Sequence, residues 1–475
     1  MPVPPVPKPG TRLLTALAGA QLLVALDFSI IYVALPDIGT SLHFSAVALQ
    51  WIVSAYAIFF AGFLLLGGQL ADVLGSGRVF LAAQLLFAAS SIGAALSLAA
   101  PALIAARVGQ GVAAALLVPA TLGMLGSAYP AGPERDRAVG VWGTTGALGL
   151  ALGVTAGGGI LAVASWQWIF WINVPIVAVC LLAAGNAVRS APSRAPAPLA
   201  TKAALAASAA VVALVLAFTE LAHARPALPV VGASLTVAVL AAGLLALSQK
   251  GPRSLVPRAL LGVRTLQTAC LAAAVYMASF GAEFYLVTLY LQEVRDYSAL
   301  AAGMAFLPLA AAITAGNTVA ARLAGRLPMS RLLATAFLTG AAGLLVLALA
   351  VAIDGAGYAQ VILPGLLLSG FGQGMAFTAM FITGTRDLPQ ASNATGSALV
   401  TTAQYIGGSI GLALLVLLHG ERPAAGDFAL TFLLTAALAA AVAPAALILL
   451  HRTGRTPAAG PPRDRLPQHR TGGHR

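Results

Sequence analysis

Stretches of roughly 20 apolar residues, broken by charges or by Pro and Gly turns, recur along the whole chain. They fall at 13–35, 47–70, 79–100, 102–124, 138–160, 168–188, 203–222, 227–248, 265–291, 299–321, 331–352, 358–382, 394–419 and 428–450. Each can cross a hydrocarbon layer of about 30 Å as a helix. Glycine and proline inside the runs do not argue against helix, because membrane helices tolerate both. The run Leu13 to Leu35 is longer than the apolar part of a signal peptide, and no Ala-x-Ala site follows it, so a first span that stays is expected. The pattern predicts an all-α polytopic membrane protein with fourteen transmembrane helices.

Composition agrees. Among the 475 residues, 59% are apolar and only 8% charged, too few charges to cover a water-soluble surface. The mean hydropathy is +0.92. The net charge of +12 would suggest nucleic acid in a soluble protein. In a membrane protein it reads instead as lysine and arginine kept on the cytoplasmic side, and no nucleic-acid partner is expected. Fourteen spans put both termini on that side. Of the 26 Lys and Arg, 22 then fall inside, Arg225, Arg295 and Arg422 outside, and Arg107 within a span. One span too many or too few would scramble this bias downstream.

The segments Arg189 to Lys202 and Gln249 to Arg264 bracket one pair of spans. The chain therefore divides into a cytoplasmic tail 1–12, a six-helix bundle 13–188, linkers with an inserted two-helix hairpin 189–264, a second six-helix bundle 265–450, and a basic tail 451–475. That last tail, rich in Pro, Gly and Arg, is expected to be disordered and to lie near anionic lipid. A weak repeat relates the two bundles. The turn Gly68 to Arg78 after the second span resembles Ala320 to Arg331 after the tenth. Asp27 stands nine residues before Pro36, and Glu283 nine before Gln292. Two halves related in this way are a transporter architecture.

Two carboxylates lie deep in spans, Asp27 and Glu283. A charge at that depth costs about 2.5–3.5 kcal/mol on insertion scales, so such a group is paired, faces water or is protonated. One reading is a carboxyl that loads and releases a proton; the other is a permanently hydrogen-bonded structural acid. Glu220, near an outer span end, reads as a solvated end charge or an interfacial acid. Arg107 is the basic residue inside a span. At 1.5 Å per residue it lies roughly 9 Å below Pro101, and Asp27 roughly 13 Å below Pro36. The depths allow an Asp27–Arg107 pair, with Asp27 as the main protonation site; snorkelling is the other reading of Arg107. The fifth span carries Gly140, Gly143, Gly146, Gly149, Gly153 and Gly157 on one helical face, a surface for close packing or for sliding.

Other chemistry is lacking. No Gly-x-x-x-x-Gly-Lys-Ser/Thr loop occurs, the six histidines show no metal spacing, and Cys180 and Cys270 sit in apolar runs. No catalytic residue, cofactor or metal is expected. Gly-Gln-Gly, at 109–111 and again at 372–374, is too weak a signal for nucleotide. Trp51, Tyr56, Phe280, Tyr285, Met375 and Phe377 read as cavity lining or as ordinary packing.

Several segments together resemble the major facilitator superfamily, specifically its fourteen-helix drug–proton antiporter family. They are Leu26-Asp27 through Pro36, Gln50-Trp51 through Tyr56, Gly68 to Arg78, Arg107-Val-Gly-Gln-Gly111, Gly149 to Gly159, Trp166 through Asn173 to Pro175, and Leu289-Tyr290-Leu-Gln292 with Ala302-Gly303 and Pro308. The sequence departs from the pattern at Tyr32, Val73, Ser76, Val154 and Gln167. The resemblance implies the major facilitator fold, two six-helix bundles plus a hairpin, and an alternating-access exporter in the plasma membrane. It implies proton coupling through Asp27 and Arg107, with Glu283 as a further candidate, and a cytoplasmic latch at Asp72, Gly75 and Arg78. The face Gly146, Gly149, Gly153 and Gly157 would slide.

The expected function is proton-driven export of amphipathic drugs, antibiotics or a self-made natural product by a monomer, with protons and the lipid bilayer as its other partners. The alternative within the fold is metabolite uptake or facilitated diffusion. A respiratory proton-translocating subunit would need lysines at mid-membrane, whereas Lys8, Lys202 and Lys250 stand at span ends. An enzyme acting on lipid-linked substrates would need acidic or histidine clusters at the membrane surface, which the sequence lacks.

Overall fold

The computed structural model describes residues 11–44, 46–130, 132–185, 200–221, 226–248, 256–297, 299–352, 357–389, 392–419 and 425–451. The tails at 1–10 and 452–475, residues 189–199 and 249–255 of the two linkers, and Arg225 and Arg422 lie outside these residues. Among the described residues the chain is helical throughout and has no strand.

The chain opens with α1 (Thr11–Ser41), α2 (Ala46–Leu74), α3 (Ser76–Ala95), α4 (Ala100–Ala128), α5 (Pro133–Val163) and α6, a turn at Trp168–Trp171 leading into Asn173–Ala184. Then come α7 (Thr201–Leu221) and α8 (Leu228–Ser248). Next, α9 starts as Arg264–Tyr276, passes through a π-helical turn at Met277–Gly281, resumes as Ala282–Leu289 and ends in a second π turn, Tyr290–Val294. Then follow α10 (Ala299–Ala305 with Leu307–Leu323), α11 (Met329–Ala352), α12 (Leu363–Arg386, entered by a π turn at Tyr358–Ile362), α13 (Asn393–His419) and α14 (Ala425–Ala440 with Val442–His451).

Among the described residues, twelve helices are long and apolar enough to cross a membrane. Two apolar runs of the sequence are helical but outside that set. Trp168–Ala184 is shorter. The other, α13, buries Thr395, Ser397, Thr401, Thr402 and Gln404 where it packs against helices of both halves. Outward-facing positions elsewhere are apolar, as at Leu81, Leu85, Leu182 and Leu240.

Proline starts two of the helices, with Pro101 in the first turn of α4 and Pro133 opening α5. Its missing N–H costs nothing there, since that donor has no helical partner. The tight turn from α2 to α3 is made by Gly75 at φ 94°. A Cβ on it would meet nothing within 4 Å, so the backbone angle and not space demands glycine.

The first half packs α1 on α5 and α6, and α4 on α2 and α3; the second packs α12 on α10 and α11, α13 on α9, and α14 on α11. The halves meet where α2 and α4 contact α13 and where α5 contacts α10 and α12. α7 lies across α2 and α13, and α8 packs on α7. Much of α8 is exposed, including Val237, Val239, Leu240, Leu244 and Leu247.

Gly75→Val should cost about 1–2 kcal/mol, the penalty of a side chain in the left-handed region. A lowered midpoint of thermal unfolding in detergent checks this.

Candidate functional site

Asp27 is fully buried on α1 and meets Arg107 of α4, with Arg107 NH1 2.6 Å from Asp27 Oδ2. The depth match allowed this pair, and the two side chains do meet. Three partners were not foreseen. Gln110, one turn along α4, donates from Nε2 to Asp27 Oδ1 at 2.9 Å. Asn173 at the start of the long part of α6 donates from Nδ2 to the same oxygen at 2.8 Å. Ser91 of α3 accepts from both amides, at 2.9 and 3.2 Å. Arg107 also donates to Gln110 Oε1 at 2.9 Å and to the Ile52 carbonyl of α2 at 3.0 Å. The Tyr56 ring lies 4.4 Å from its guanidinium carbon, a cation–π contact. A buried carboxylate is thus matched in charge and hydrogen-bonded on both oxygens, as burial requires. Gln110 and Asn173 stood in the quoted motifs; that they are polar and within spans was the available signal.

Glu283 is fully buried on α9, two residues past the π turn. Its Oε2 takes the hydroxyl of Ser369 and, at 2.8 Å, Nε2 of Gln373, both on α12. Gln373 Nε2 also reaches Ser369 Oγ at 3.0 Å. The Glu283 Oε1 atom has no hydrogen-bond partner. Among the described residues no cation lies within ion-pair distance of it. The structure keeps Glu283 apart from Asp27, one acid in each half.

A third polar contact joins the halves. Asp72, at the end of α2, accepts from the Thr395 backbone N–H at 3.0 Å and from its hydroxyl at 2.5 Å. Thr395 is in the first turn of α13, where unsatisfied N–H groups and the helix dipole attract an anion. Beside it, Arg135 of α5 donates to Asn393 Oδ1 at 3.2 Å. Close approach is set by Gly68, whose Cβ would meet Ala394 and Ala398, and by Gly126, whose Cβ would meet Asn393. Asp72 takes part directly and Gly75 shapes the turn next to it. Arg78 is exposed and is not in this contact.

The α5 glycines divide by partner. A Cβ at Gly146, Gly149, Gly153 or Gly157 would strike Gln21, Leu22, Ser29 or Ile30 of α1, while Gly140 and Gly143 face Ala321 and Asn317 of α10. Nearby, Trp142 of α5 packs on Phe377 and Phe381 of α12, with centroids 5.9 and 5.3 Å apart. Of the other aromatic and Met candidates, Tyr56, Phe280 and Met375 are buried, and Trp51 and Tyr285 are exposed. Among the described residues no group of His, Cys, Asp and Glu could hold a metal.

Arg107→Leu should destabilise the protein by about 3–5 kcal/mol, since it strands a buried charge. Asn173→Leu should cost about 1.5–3 kcal/mol, one hydrogen bond to a charged group. Unfolding in detergent should rank them in that order.

The family described as Major Facilitator Superfamily matches residues 17–412. The puromycin resistance protein of Streptomyces alboniger is 33% identical over 429 residues, 87% of this chain and 84% of the relative. The cephamycin export protein of Amycolatopsis lactamdurans is 32% identical over 421 residues, 86% and 85% of the two chains. Among solved structures, the human organic anion transporter MFSD10 superposes with a TM-score of 0.65 at 17% identity, covering 92% of this chain and 100% of the other; at that identity the likeness is one of fold. Family match, relatives and fold agree, and the chain belongs to the major facilitator superfamily.

Proposed function

We propose that the protein is a secondary exporter of the cell membrane, exchanging inward protons for outward movement of amphipathic antibiotics or related natural products by alternating access. The observation that supports this most is a closable contact between two halves, Asp72 to Thr395, in a chain that also buries acids within its spans. The relatives named for antibiotic resistance and export point the same way. Asp27, Arg107 and Glu283 are the coupling groups. Asp72 and Gly75 form the cytoplasmic latch with Arg78 at its rim, and this conformer, latched there, faces outward. Gly146, Gly149, Gly153 and Gly157 let α5 shift along α1.

The same reading takes α6 and α13 as spans, making fourteen, with both termini cytoplasmic. α7 and α8 are the inserted hairpin, set against lipid outside the two bundles. One copy of the chain suffices. The membrane potential supplies about 2.3 kcal/mol per charge per 100 mV, and a pH gradient adds to it.

Two outcomes are expected. In a host lacking its own exporters, the chain should raise resistance to a subset of an antibiotic and dye panel, and a protonophore should restore drug accumulation. Protonophore-insensitive resistance, or net uptake in vesicles, would sink the reading. Asp72→Ala should weaken the latch by about 1–3 kcal/mol, the worth of hydrogen bonds to a charged group. Spin labels at the exposed positions 78 and 387 should then report a second, longer distance; an unchanged distribution rejects the latch.

A further inference from the structure

Gly-Gln-Gly occurs at 109–111 and at 372–374, and the fold uses the two copies alike. Gln110 on α4 donates to Asp27 on α1, and Gln373 on α12 donates to Glu283 on α9. These are the fourth and first helices on each side of the hairpin. Each half therefore holds one buried acid on its first helix against a glutamine on its fourth. The halves differ one turn earlier: three residues before the glutamine stands Arg107 in one and Gly370 in the other. Asp27 has a cation, and Glu283 has none among the described residues.

The hydrogen bonds differ in kind as well. The guanidinium of Arg107 and the amide nitrogens of Gln110 and Asn173 can only donate. The orientation of Gln110 is fixed, because its oxygen accepts from Arg107. Arg107 and Gln110 thus demand an acceptor, which is the ionised carboxylate. At Glu283 the Ser369 hydroxyl can donate to a carboxylate or accept from a carboxylic acid, and Oε1 has no partner. That site accommodates both protonation states. Tyr276, on the same helix, is the titratable side chain within its electrostatic reach. The charged residues of the surrounding helices, Arg264, Arg322, Arg331, Arg386, His419 and Asp427, stand at helix ends.

We propose that Glu283, with Ser369 and Gln373 as positioning residues, loads and releases the transported proton, while Asp27 stays ionised as the fixed partner of Arg107. The assignment rests on the proton-coupled reading above. The proton enters on a Glu283 oxygen, converting carboxylate to carboxylic acid, and leaves from it to the opposite side. A physical route to the latch exists. The π turn before Glu283 lies against α13, where a Cβ on Gly408 or Gly411 would meet Met277 or Ala278, and the first turn of α13 is held by Asp72.

Infrared titration of the purified full chain in lipid nanodiscs reads the proton without any substrate, through the C=O stretch of a protonated carboxyl. The wild type minus Glu283→Gln difference should contain one such band that titrates away as pH rises, and Asp27→Asn should retain it. If Asp27→Asn does not fold, the double variant Asp27→Asn, Arg107→Gln removes both charges together and takes its place. Ser369→Ala should move the pH at which the band disappears while helicity is unchanged, which a merely structural side chain would not do. A band kept in Glu283→Gln and lost in Asp27→Asn overturns the assignment, as does a difference spectrum flat across the pH range. Efflux indifferent to a protonophore beside an intact Glu283 band overturns the coupled reading and the transport role with it. A missing Glu283 band beside protonophore-sensitive efflux overturns this assignment alone.

Discussion

A full charge in a membrane interior must be neutralised and hydrogen-bonded where it stands, because no water is there to solvate it. Asp27 imposes that constraint on the first half of the protein. Its partners and theirs come from α1, α2, α3, α4 and α6: the carboxylate itself, the Ile52 carbonyl, Ser91, Arg107 with Gln110, and Asn173. Five helices are thereby given one register at this level. The sixth, α5, is left out of the network and packs through its glycine face instead. A half built in this way is rigid around one polar node and smooth along one edge.

The second half solves a similar problem with less. Glu283 has two partners, both on α12, and its helix is twice interrupted by π turns, irregularities that recur at functional sites. Glycines on α12 and α13 let neighbouring backbones approach it closely, as at Gly372 against Gly340 and Gly407 against Ala274. The polar node here is smaller and its supporting helix less regular.

The sequence exposed what depends on distance along the chain and hid what depends on rotation about it. Helix positions follow from runs of apolar residues, since lipid enforces length and composition. The Asp27–Arg107 contact was legible because a helix rises by a constant amount per residue, so depth can be counted from each span end. The Ser91, Gln110 and Asn173 contacts depend on how each helix is turned toward its neighbours, which one sequence does not encode plainly. Thr395 was hidden for a related reason: it lies 323 residues from Asp72, and only the meeting of the halves brings them together. Arg78 kept its motif position but not a place in the contact. The π turns left no mark in the hydropathy pattern, because a residue more or less per turn does not change its average.

Helix α7 touches both halves at once. Ile58 and Ala61 of α2 meet Val211 and Val215 of α7, with Tyr405 and Ile406 of α13 packed alongside, and Val212 fills the notch at Gly62. Aliphatic surface attracts without regard to direction, so such a seam can creep by a fraction of a residue and lose little. α7 is held there by apolar packing. It covers the gap between two bodies on one flank, and among the described residues no helix is packed in the same way across the opposite flank, where α5 meets α10. In the plane of the bilayer the molecule therefore has a front and a back. A lipid-soluble compound approaching sideways meets a shielded joint from one direction and a bare one from the other.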